Sequence, residues 1–386
     1  MAAPPKRILI VVGEASADRY GARLVEKLHA LHGAGFVSFF GTGGDAMQKA
    51  GVHLLCHIRE LAHIGVHEAL TSMRTYFRTY KRLINISKAK PPDLAILMDF
   101  PEFNLRLAKR LKHMGIRTIY YIGPQVWAWR SGRTRIIRRY VDKMLVILPF
   151  EEDYYRQRGI EAEFVGHPLT EDFRPNFNRE LFLSGLNLDP ARKTVAILAG
   201  SRRKEIDYIL PTLLCAAQRI LKEMPAQFLI SAAPTVDVSH IQKIMQDTLN
   251  GNPVGNCFRI AVQSSRDVLA NSDFAFVKSG TSSLEAALIG TPFLITYKIS
   301  SFSWSIGSML IRTPMKGLVN LIAQKKIVPE LFQGEAEPEK LAQLALEYIR
   351  DSEKCDTMRS QLAGIRERLS VRCASETVAA AVSSYL

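Results

Sequence analysis

Short apolar runs alternate with amphipathic stretches along the first half of the chain. Runs typical of buried strands occupy residues 8–12, 36–41, 94–99, 118–122, 143–148 and 162–165. The stretches between them place apolar residues at helical spacing, for example over 20–32, 104–114 and 151–158. Alternation of strands and helices predicts a parallel sheet that is covered by helices on both faces.

The pattern weakens near residues 176–190 and then restarts. Strands are predicted at 194–199, 227–231, 258–261, 274–277 and 293–296, with helices at 209–223, 239–249, 265–270 and 282–289. We therefore predict an α/β protein with two doubly wound Rossmann-like domains, 1–185 and 186–340, facing a central cleft. The helices predicted over 341–386 pack on the second domain, return to the first, or exchange with a partner chain.

In the first domain, polar residues follow two strands at the edge where open α/β sheets bind ligands. The loop 13–18 follows the first strand and contains Ser16 and Asp18. It lacks the spacing of a dinucleotide fingerprint, and either residue could instead cap the next helix. Asp99 ends a later strand, where a carboxylate is well placed as a general base, although turn Asp residues are also common.

The segment 121–130 contains two tryptophans beside a Gly-Pro pair at the end of a strand. Gln125 and Trp127 are candidates for an aromatic and polar wall against an amphipathic ligand. The alternative is a packed loop with no ligand, because large aromatic residues also fill loops.

The second domain has two loops suited to a phosphate. Gly200, Ser201 and Arg202 follow its first strand, and an Arg side chain offers a fork to phosphate oxygens. Ser279, Gly280, Thr281 and Ser282 lie between a strand and a helix, where free N–H groups and the helix dipole favour an anion. Glu285 lies one turn further on, where it could reach a sugar. The offset between Ser282 and Glu285 equally fits a capping box.

Composition narrows the class of protein. The chain has 386 residues, a net charge of +14 and five scattered cysteines, which predict a reducing compartment and no disulfide framework. No secretion signal, membrane span or metal cluster is recognised. Basic residues are spread out, with clusters at 130–139 and 202–204, so nucleic acid is the weakest candidate partner. The basic amphipathic helix predicted over 64–84 could lie on an anionic bilayer or simply face the core.

Taken together, these segments resemble the lipid A disaccharide synthase family, bacterial inverting glycosyltransferases with the two-domain GT-B fold. The Gln-Val-Trp-Ala-Trp and Asp-Phe-Pro-x-Phe-Asn pieces are distinctive. Matching segments cover nearly the whole chain in order: 13–18, 60–65, 99–104, 121–129, 164–169, 200–202, 279–285 and 319–322. Two departures are Ala17, where the family has Gly, and Ala199, where it usually has Pro. Ala tolerates a positive φ poorly, which puts the shape of the first loop in doubt.

The resemblance implies a donor, UDP-2,3-diacylglucosamine, and an acceptor, 2,3-diacylglucosamine 1-phosphate (lipid X), joined without a cofactor or metal. Asp99 is then the first candidate for the base and Glu14 the second. Arg202 and the loop 279–282 would stabilise the leaving diphosphate, Glu285 would bind the ribose, and Asn320 would orient a substrate.

The resemblance also implies a cytoplasmic enzyme docked on the inner leaflet of the inner membrane of a Gram-negative-type bacterium, through the helix 64–84. A homodimer is one option for its assembly. Alternatives are another UDP-N-acetylglucosamine enzyme of this fold, either an epimerase or the peptidoglycan glycosyltransferase, and a non-catalytic binder of anionic lipid.

Overall fold

A computed structural model gives the fold of two compact units, which we describe separately. It describes residues 4–33, 35–61, 69–128, 130–171, 173, 175–249, 257–262, 264–299 and 315–386, and of 69–73 only the backbone. The first unit comprises Met1–Glu171 with Leu369–Leu386, and the second comprises Asp172–Arg368.

The first unit is built on a seven-stranded sheet. Its strands are β1 (Lys6–Val11), β2 (Val37–Gly43), β3 (His53–His57), β4 (Leu94–Met98), β5 (Arg117–Tyr121), β6 (Lys143–Val146) and β7 (Ala162–Phe164). Its helices are α1 (Ala15–His32), α2 (Asp45–Lys49), α3 (Ile58–Leu61), α4 (Ala69–Ala89), α5 (Pro101–His113), α6 (Arg133–Tyr140) and α7 (Pro149–Arg156). The strand order is β3-β2-β1-β4-β5-β6-β7, and every pairing is parallel.

Each face of this sheet carries its own hydrophobic core, because successive side chains of a strand point to opposite faces. Ile8 and Ile10 of β1 pack on one face with α1, whereas Leu9 and Val11 pack on the other with α5. Strand β4 is buried along its whole length, as expected for a central strand covered on both sides.

The second unit repeats this design with six strands. They are β8 (Lys193–Leu198), β9 (Ala226–Ser231), β10 (Phe258–Ala261), β11 (Phe274–Lys278), β12 (Phe293–Tyr297) and β13 (Glu330–Phe332). The helices with described bounds are α8 (Arg179–Gly185), α9 (Arg203–Glu223), α10 (Val238–Leu249), α11 (Ser265–Ala270), α12 (Thr281–Ile289), α13 (Leu318–Ala323), α14 (Pro338–Arg350) and α15 (Ser352–Leu369). The order is β10-β9-β8-β11-β12-β13, again with parallel pairing throughout.

The unit boundaries differ from those expected at residues 185 and 340. Helix α8 belongs to the second unit, because Arg179 donates to the carbonyl of Asn271 and pairs with Asp273 at 2.9 Å. The C-terminal helices separate: α14 and α15 remain with the second unit, while the last helix, α16 (Ala374–Ser383), packs along α1 in the first.

All eleven predicted strands are present, but β3 and β13 were missed. Histidines at both ends interrupt the apolar pattern of β3, and β13 has only three residues, the first of which is Glu330. Part of the helix predicted over 64–84 lies outside the described residues, and α4 begins at Ala69. In the described part of the chain, none of the helices combines the length and the hydropathy needed to cross a bilayer.

Candidate functional site

The sequence-predicted loops lie at the topological switch point of each sheet. In the first sheet β1 and β4 are neighbours, and the chain winds outward from them in opposite directions; β8 and β11 hold the same positions in the second. Crevices outside the carboxyl ends of such strands are where open α/β sheets bind ligands. The sites in the two units are described one at a time.

In the first unit, the loops after β1 and β4 are in direct contact. A Cβ atom at Gly13 would lie 2.5 Å from Cγ of Phe100, so only glycine lets the two loops approach this closely. Glu14 follows immediately as the exposed N-cap of α1. The close approach brings the carboxylate of Glu14 towards Asp99.

Asp99 lies on a strained stretch of backbone. Asp99 and Phe100 have φ values of 50° and 46°, and Ile122 at the end of β5 has a φ of 59°. Left-handed backbone costs on the order of 1 kcal/mol or more for each non-glycine residue and tends to occur at functional sites. The strain is held by hydrogen bonds: Asn104 Nδ2 donates to the Asp99 carbonyl at 2.8 Å, and the Tyr120 hydroxyl donates to the same oxygen.

The carboxyl of Asp99 has a raised proton affinity. Burial, and then the negative charge of Glu14, raise its pKa from 3.8 to about 6. A carboxylate with this pKa is ionised at neutral pH and is a stronger base than an ordinary Asp. The arrangement therefore suits proton abstraction from a hydroxyl group.

Asp18 has a structural role in place of the suggested ligand contact. It is buried, and its carboxylate accepts hydrogen bonds from the backbone N–H groups of Gly44, Ala46 and Met47. It thus caps α2, a different helix from the one in which it lies.

Ser16 lies in the first turn of α1 and is partly exposed beside Glu14. Ala17, the departure from the family pattern, is buried in the same helix. Right-handed helical backbone suits alanine, so the doubt about the shape of this loop is removed.

Trp127 is partly exposed, and its side chain is anchored to the start of α7. Its Nε1 donates to Oε1 of Glu151 at 2.9 Å, and its ring meets Phe150 edge to face at 5.0 Å. Burial raises the pKa of Glu151 to about 7. Gln125 is exposed on the same loop and keeps its place as a candidate.

In the second unit, residues 199–202 form the loop after β8. Gly200 has a φ of 131°, and a Cβ atom there would lie 2.5 Å from Oε2 of Glu205. The Ser201 N–H donates to that oxygen at 3.3 Å. Arg202 is the N-cap of α9, and its side chain is largely exposed, so the guanidinium can reach an anion.

The loop after β11 leads into α12. Gly280 is the N-cap with a φ of 144°, and the N–H groups of Thr281 and Ser282 lie in the first turn, where no intrahelical partner exists. The Ser279 N–H instead donates to the Thr296 carbonyl at 3.0 Å. It is therefore not one of the free N–H donors that the sequence predicted over residues 279–282.

Glu285 points towards α11, which corrects the predicted capping box with Ser282. Its carboxylate accepts hydrogen bonds from the Ser265 hydroxyl at 2.8 Å and from Arg266 Nε at 3.1 Å. Because a carboxylate has about four acceptor positions, a sugar hydroxyl can still be bound.

Asn320 is the clearest correction among the predicted site residues. It is completely buried, and its Nδ2 donates to the Val328 carbonyl and to Glu330, while its Oδ1 accepts from the N–H groups of Ile327 and Val328. These four bonds use the whole capacity of the amide. Asn320 therefore fastens the segment before β13, and its amide has no further hydrogen-bonding position to offer a substrate.

The sequence analysis did not identify several residues that hold the site residues in place. Asn104 and Tyr120 hold Asp99 in place, Glu151 anchors the tryptophan loop, and Glu205 and Lys278 form an ion pair of 3.0 Å. A buried carboxylate one turn into a helix gives no distinct sequence signal. Among the described residues, no group of three His, Cys, Asp or Glu side chains could hold a metal ion.

Comparisons with known proteins identify close relatives over almost the full length. A family model described as lipid-A-disaccharide synthetase matches residues 8–382. The chain is 41% identical to a lipid-A-disaccharide synthase of Syntrophus aciditrophicus, covering 97% of this chain and 96% of the relative. It is 38% identical to that of Geobacter sulfurreducens, covering 98% and 97% respectively.

Solved structures confirm the fold class. A UDP-GlcNAc 2-epimerase from Neisseria meningitidis matches with a TM-score of 0.64 at 12% identity, covering 98% of this chain and all of that one. The calicheamicin glycosyltransferase CalG4 matches with a TM-score of 0.61 at 13% identity, covering 100% and 99%. At this identity the matches show the fold alone, which is GT-B.

Proposed function

Because the chain belongs to the lipid-A-disaccharide synthetase family, we propose that it joins two acylated glucosamines. The donor is UDP-2,3-diacylglucosamine, and the acceptor is 2,3-diacylglucosamine 1-phosphate. The products are the β(1→6)-linked disaccharide 1-phosphate and UDP. The observation that carries the chemical part of this proposal is the strained, half-buried Asp99 at the switch point of the first sheet.

The reaction is a single in-line displacement. The acceptor's 6-hydroxyl oxygen attacks the anomeric carbon of the donor and its proton passes to a carboxylate, while the bond from that carbon to the diphosphate breaks. The new bond forms on the face opposite the leaving group, so the configuration inverts.

Asp99 is the better candidate for the base. Its pKa near 6 lies close to the working pH, which favours proton transfer, and its backbone is fixed by Asn104 and Tyr120. Glu14 is exposed at a helix N-cap, where a carboxylate is held less rigidly. In this proposal Glu14 assists by raising the proton affinity of Asp99.

The donor diphosphate is proposed to bind the second unit. Arg202 supplies an exposed guanidinium, and the first turn of α12 supplies N–H groups and the positive end of the helix dipole. These groups stabilise the negative charge that UDP gains as it leaves. Glu285, held by Ser265 and Arg266, accepts a hydrogen bond from the ribose.

We further propose that the first unit docks on an anionic membrane surface. Helices α4, α5 and α6 contribute to one core on the same face of the first sheet. They carry thirteen Lys and Arg side chains and a single carboxylate, that of Glu102. Basic residues that are dispersed in the sequence are therefore gathered on these three neighbouring helices, whereas α7, which packs on the same face, carries Glu151, Glu152 and Asp153. An anionic lipid headgroup is the partner that such a layer attracts.

Helix α4 also offers apolar contact. Phe77 is 44% exposed, and a groove of about 830 Å³ runs beside it between basic side chains. The groove residues are Arg74, Phe77, Arg78, Lys81, Arg82, Asn85 and Ile86. An exposed aromatic among cations is typical of helices that lie at the bilayer interface.

Vesicle binding tests the docking proposal. Each basic residue near an anionic surface contributes about 1 kcal/mol, so replacing Arg74, Arg78 and Lys81 with Gln should weaken binding on the order of 100-fold. In the control, Gln replaces three exposed lysines of the second unit, so the same amount of charge is lost: Lys222, Lys326 and Lys340. Equal losses in both variants would show that only net charge matters, which would refute docking through α4.

The activity itself is tested with purified substrates. Incubation with UDP-diacylglucosamine and lipid X should release UDP and form disaccharide in equal amounts. Release of UDP without disaccharide, or isomerisation of UDP-N-acetylglucosamine, would favour another enzyme of this fold. Binding of anionic lipid without turnover would favour a non-catalytic protein.

A further inference from the structure

Lys278 is a charged side chain to which the proposed reaction has so far given no role. It is the last residue of β11 and lies directly before the loop that opens α12. Its side chain is only 18% exposed, its Nζ lies 3.0 Å from Oε1 of Glu205, and it lies 5.6 Å from the centre of the Tyr297 ring. A lysine in such surroundings is held in one place, close to the carboxyl edge of the sheet.

Two glycines lie against this ion pair, and at one of them, Gly200, a side chain would clash with Glu205. A Cβ atom at Gly280 would lie 3.4 Å from Nζ of Lys278, and one at Gly200 would lie 2.5 Å from Oε2 of Glu205. The ammonium therefore lies against the loop after β11, and the carboxylate lies against the loop after β8. The Lys278–Glu205 pair links the two loops that are proposed to bind the donor.

The charges of this cluster do not cancel. Glu205 is the common partner of Lys278 and Arg202, whose Nη1 lies 3.4 Å from Oε1. Two cations thus share one carboxylate, beside the N-termini of α9 and α12. An ammonium group has three N–H donors, and one Glu205 contact leaves capacity for a phosphate oxygen.

A purely structural ion pair is the competing explanation. A mostly buried salt bridge contributes little net stability, and an apolar pair of similar size often serves as well. That explanation accounts for neither the surplus positive charge nor the contact between the ammonium and the Gly280 loop. Both are accounted for if the lysine faces an anion.

We propose that Lys278 binds the diphosphate of the donor and of the departing UDP, and that Glu205 holds the ammonium in position in the ligand-free protein. This inference rests on the proposed function. When the bond between the anomeric carbon and the diphosphate oxygen breaks, the electron pair stays on that oxygen. Lys278 and Arg202 then share the added negative charge.

The test compares UDP with uridine as ligands of the full-length protein. A hydrogen bond to a charged group contributes about 1.5–3 kcal/mol, so Lys278→Met should weaken UDP binding roughly 10- to 100-fold. Uridine carries no phosphate, so its affinity should change less than about twofold. Lys278→Arg should restore most of the UDP affinity, because it keeps the charge.

Lys193→Met is the matched control. Lys193 opens β8 at the opposite edge of the same sheet and is also paired with a carboxylate, that of Asp273, at 3.2 Å. This variant should bind UDP as the wild type does. Thermal melting of each variant establishes that it is folded before binding is measured.

Three outcomes would overturn the inference: unchanged UDP affinity in Lys278→Met, equal losses for UDP and uridine, or a similar loss in Lys193→Met. If Lys278→Met fails to fold, Lys278→Gln takes its place, because its amide can still donate to Glu205 but carries no charge. UDP affinity within about twofold of the wild type in that variant would overturn the inference. Failure of the wild type to bind UDP would instead refute the proposed function.

Discussion

Replacing Asp99 with asparagine should lower turnover by at least about 100-fold while stabilising the protein. The substitution keeps the size of the side chain, and asparagine tolerates the left-handed backbone that Asp99 adopts at a φ of 50°. It removes only the charge and the ability to take a proton. A positioned general base contributes about 100- to 10,000-fold to a rate, so turnover should fall within that range.

The stability change follows from the raised pKa. Burial and Glu14 raise the pKa of Asp99 from 3.8 to about 6, and each pKa unit corresponds to about 1.4 kcal/mol. The folded wild type therefore loses up to about 3 kcal/mol as pH rises through 6, because the carboxyl must ionise in an unfavourable place. Below pH of about 4 the carboxyl is protonated in both folded and unfolded chains, and this loss is absent.

Urea unfolding at a series of pH values, together with turnover at saturating substrates, measures both effects. The Asn variant should match the wild type near pH 4 and exceed it above pH 7. Turnover near the wild-type level would remove Asp99 as the base. A variant that is less stable than the wild type at pH 8 would refute the electrostatic reasoning.

Two further substitutions test the neighbouring assignments. Glu14→Gln should move the acidic limb of the kcat/KM profile below pH 6 without reaching 3.8, because burial remains the larger cause of the raised pKa of Asp99; a loss of turnover as large as that of Asp99→Asn would make Glu14 the base. Asn320→Ala should lower the free energy of unfolding by about 2–4 kcal/mol, because buried backbone groups lose their partners, while UDP affinity stays within a few-fold of the wild type. A large loss of UDP affinity in a stable Asn320 variant would contradict the structural role.

Local patterns in the sequence were sufficient to predict the two sheets and the loops at the carboxyl ends of their strands. Apolar runs identify central strands such as β4 and β11, because these strands are buried on both faces and consist almost entirely of apolar residues. The loops at 99–100, 200–202 and 279–281 could also be predicted, because a small or polar residue ends the apolar run of the strand before each loop. The edge strands β7 and β10 were also found from their apolar runs. In contrast, β3 has a histidine at each end and β13 has three residues that begin with Glu330, so neither gives such a run.

The roles of individual side chains depended on contacts between residues far apart in the chain. Asn320 and Arg202 are both polar residues in family-like segments, yet Asn320 is completely buried with all its hydrogen bonds made, whereas Arg202 is exposed. Asp18 likewise caps a helix that begins many residues later. Hydrophobic periodicity carries no information about which partner a polar group will meet.

The distribution of surface charge and the proton affinity of Asp99 also depend on contacts between residues far apart in the chain. The sequence gives a net charge of +14, but only the packing of α4, α5 and α6 side by side on one face of the sheet brings thirteen Lys and Arg residues onto neighbouring helices. The raised pKa of Asp99 requires both burial by the fold and the approach of Glu14, which the contact between Gly13 and Phe100 permits. Strand and helix identity follow from the order of residues along the chain, whereas electrostatics depends on distances through space, which only the folded arrangement sets.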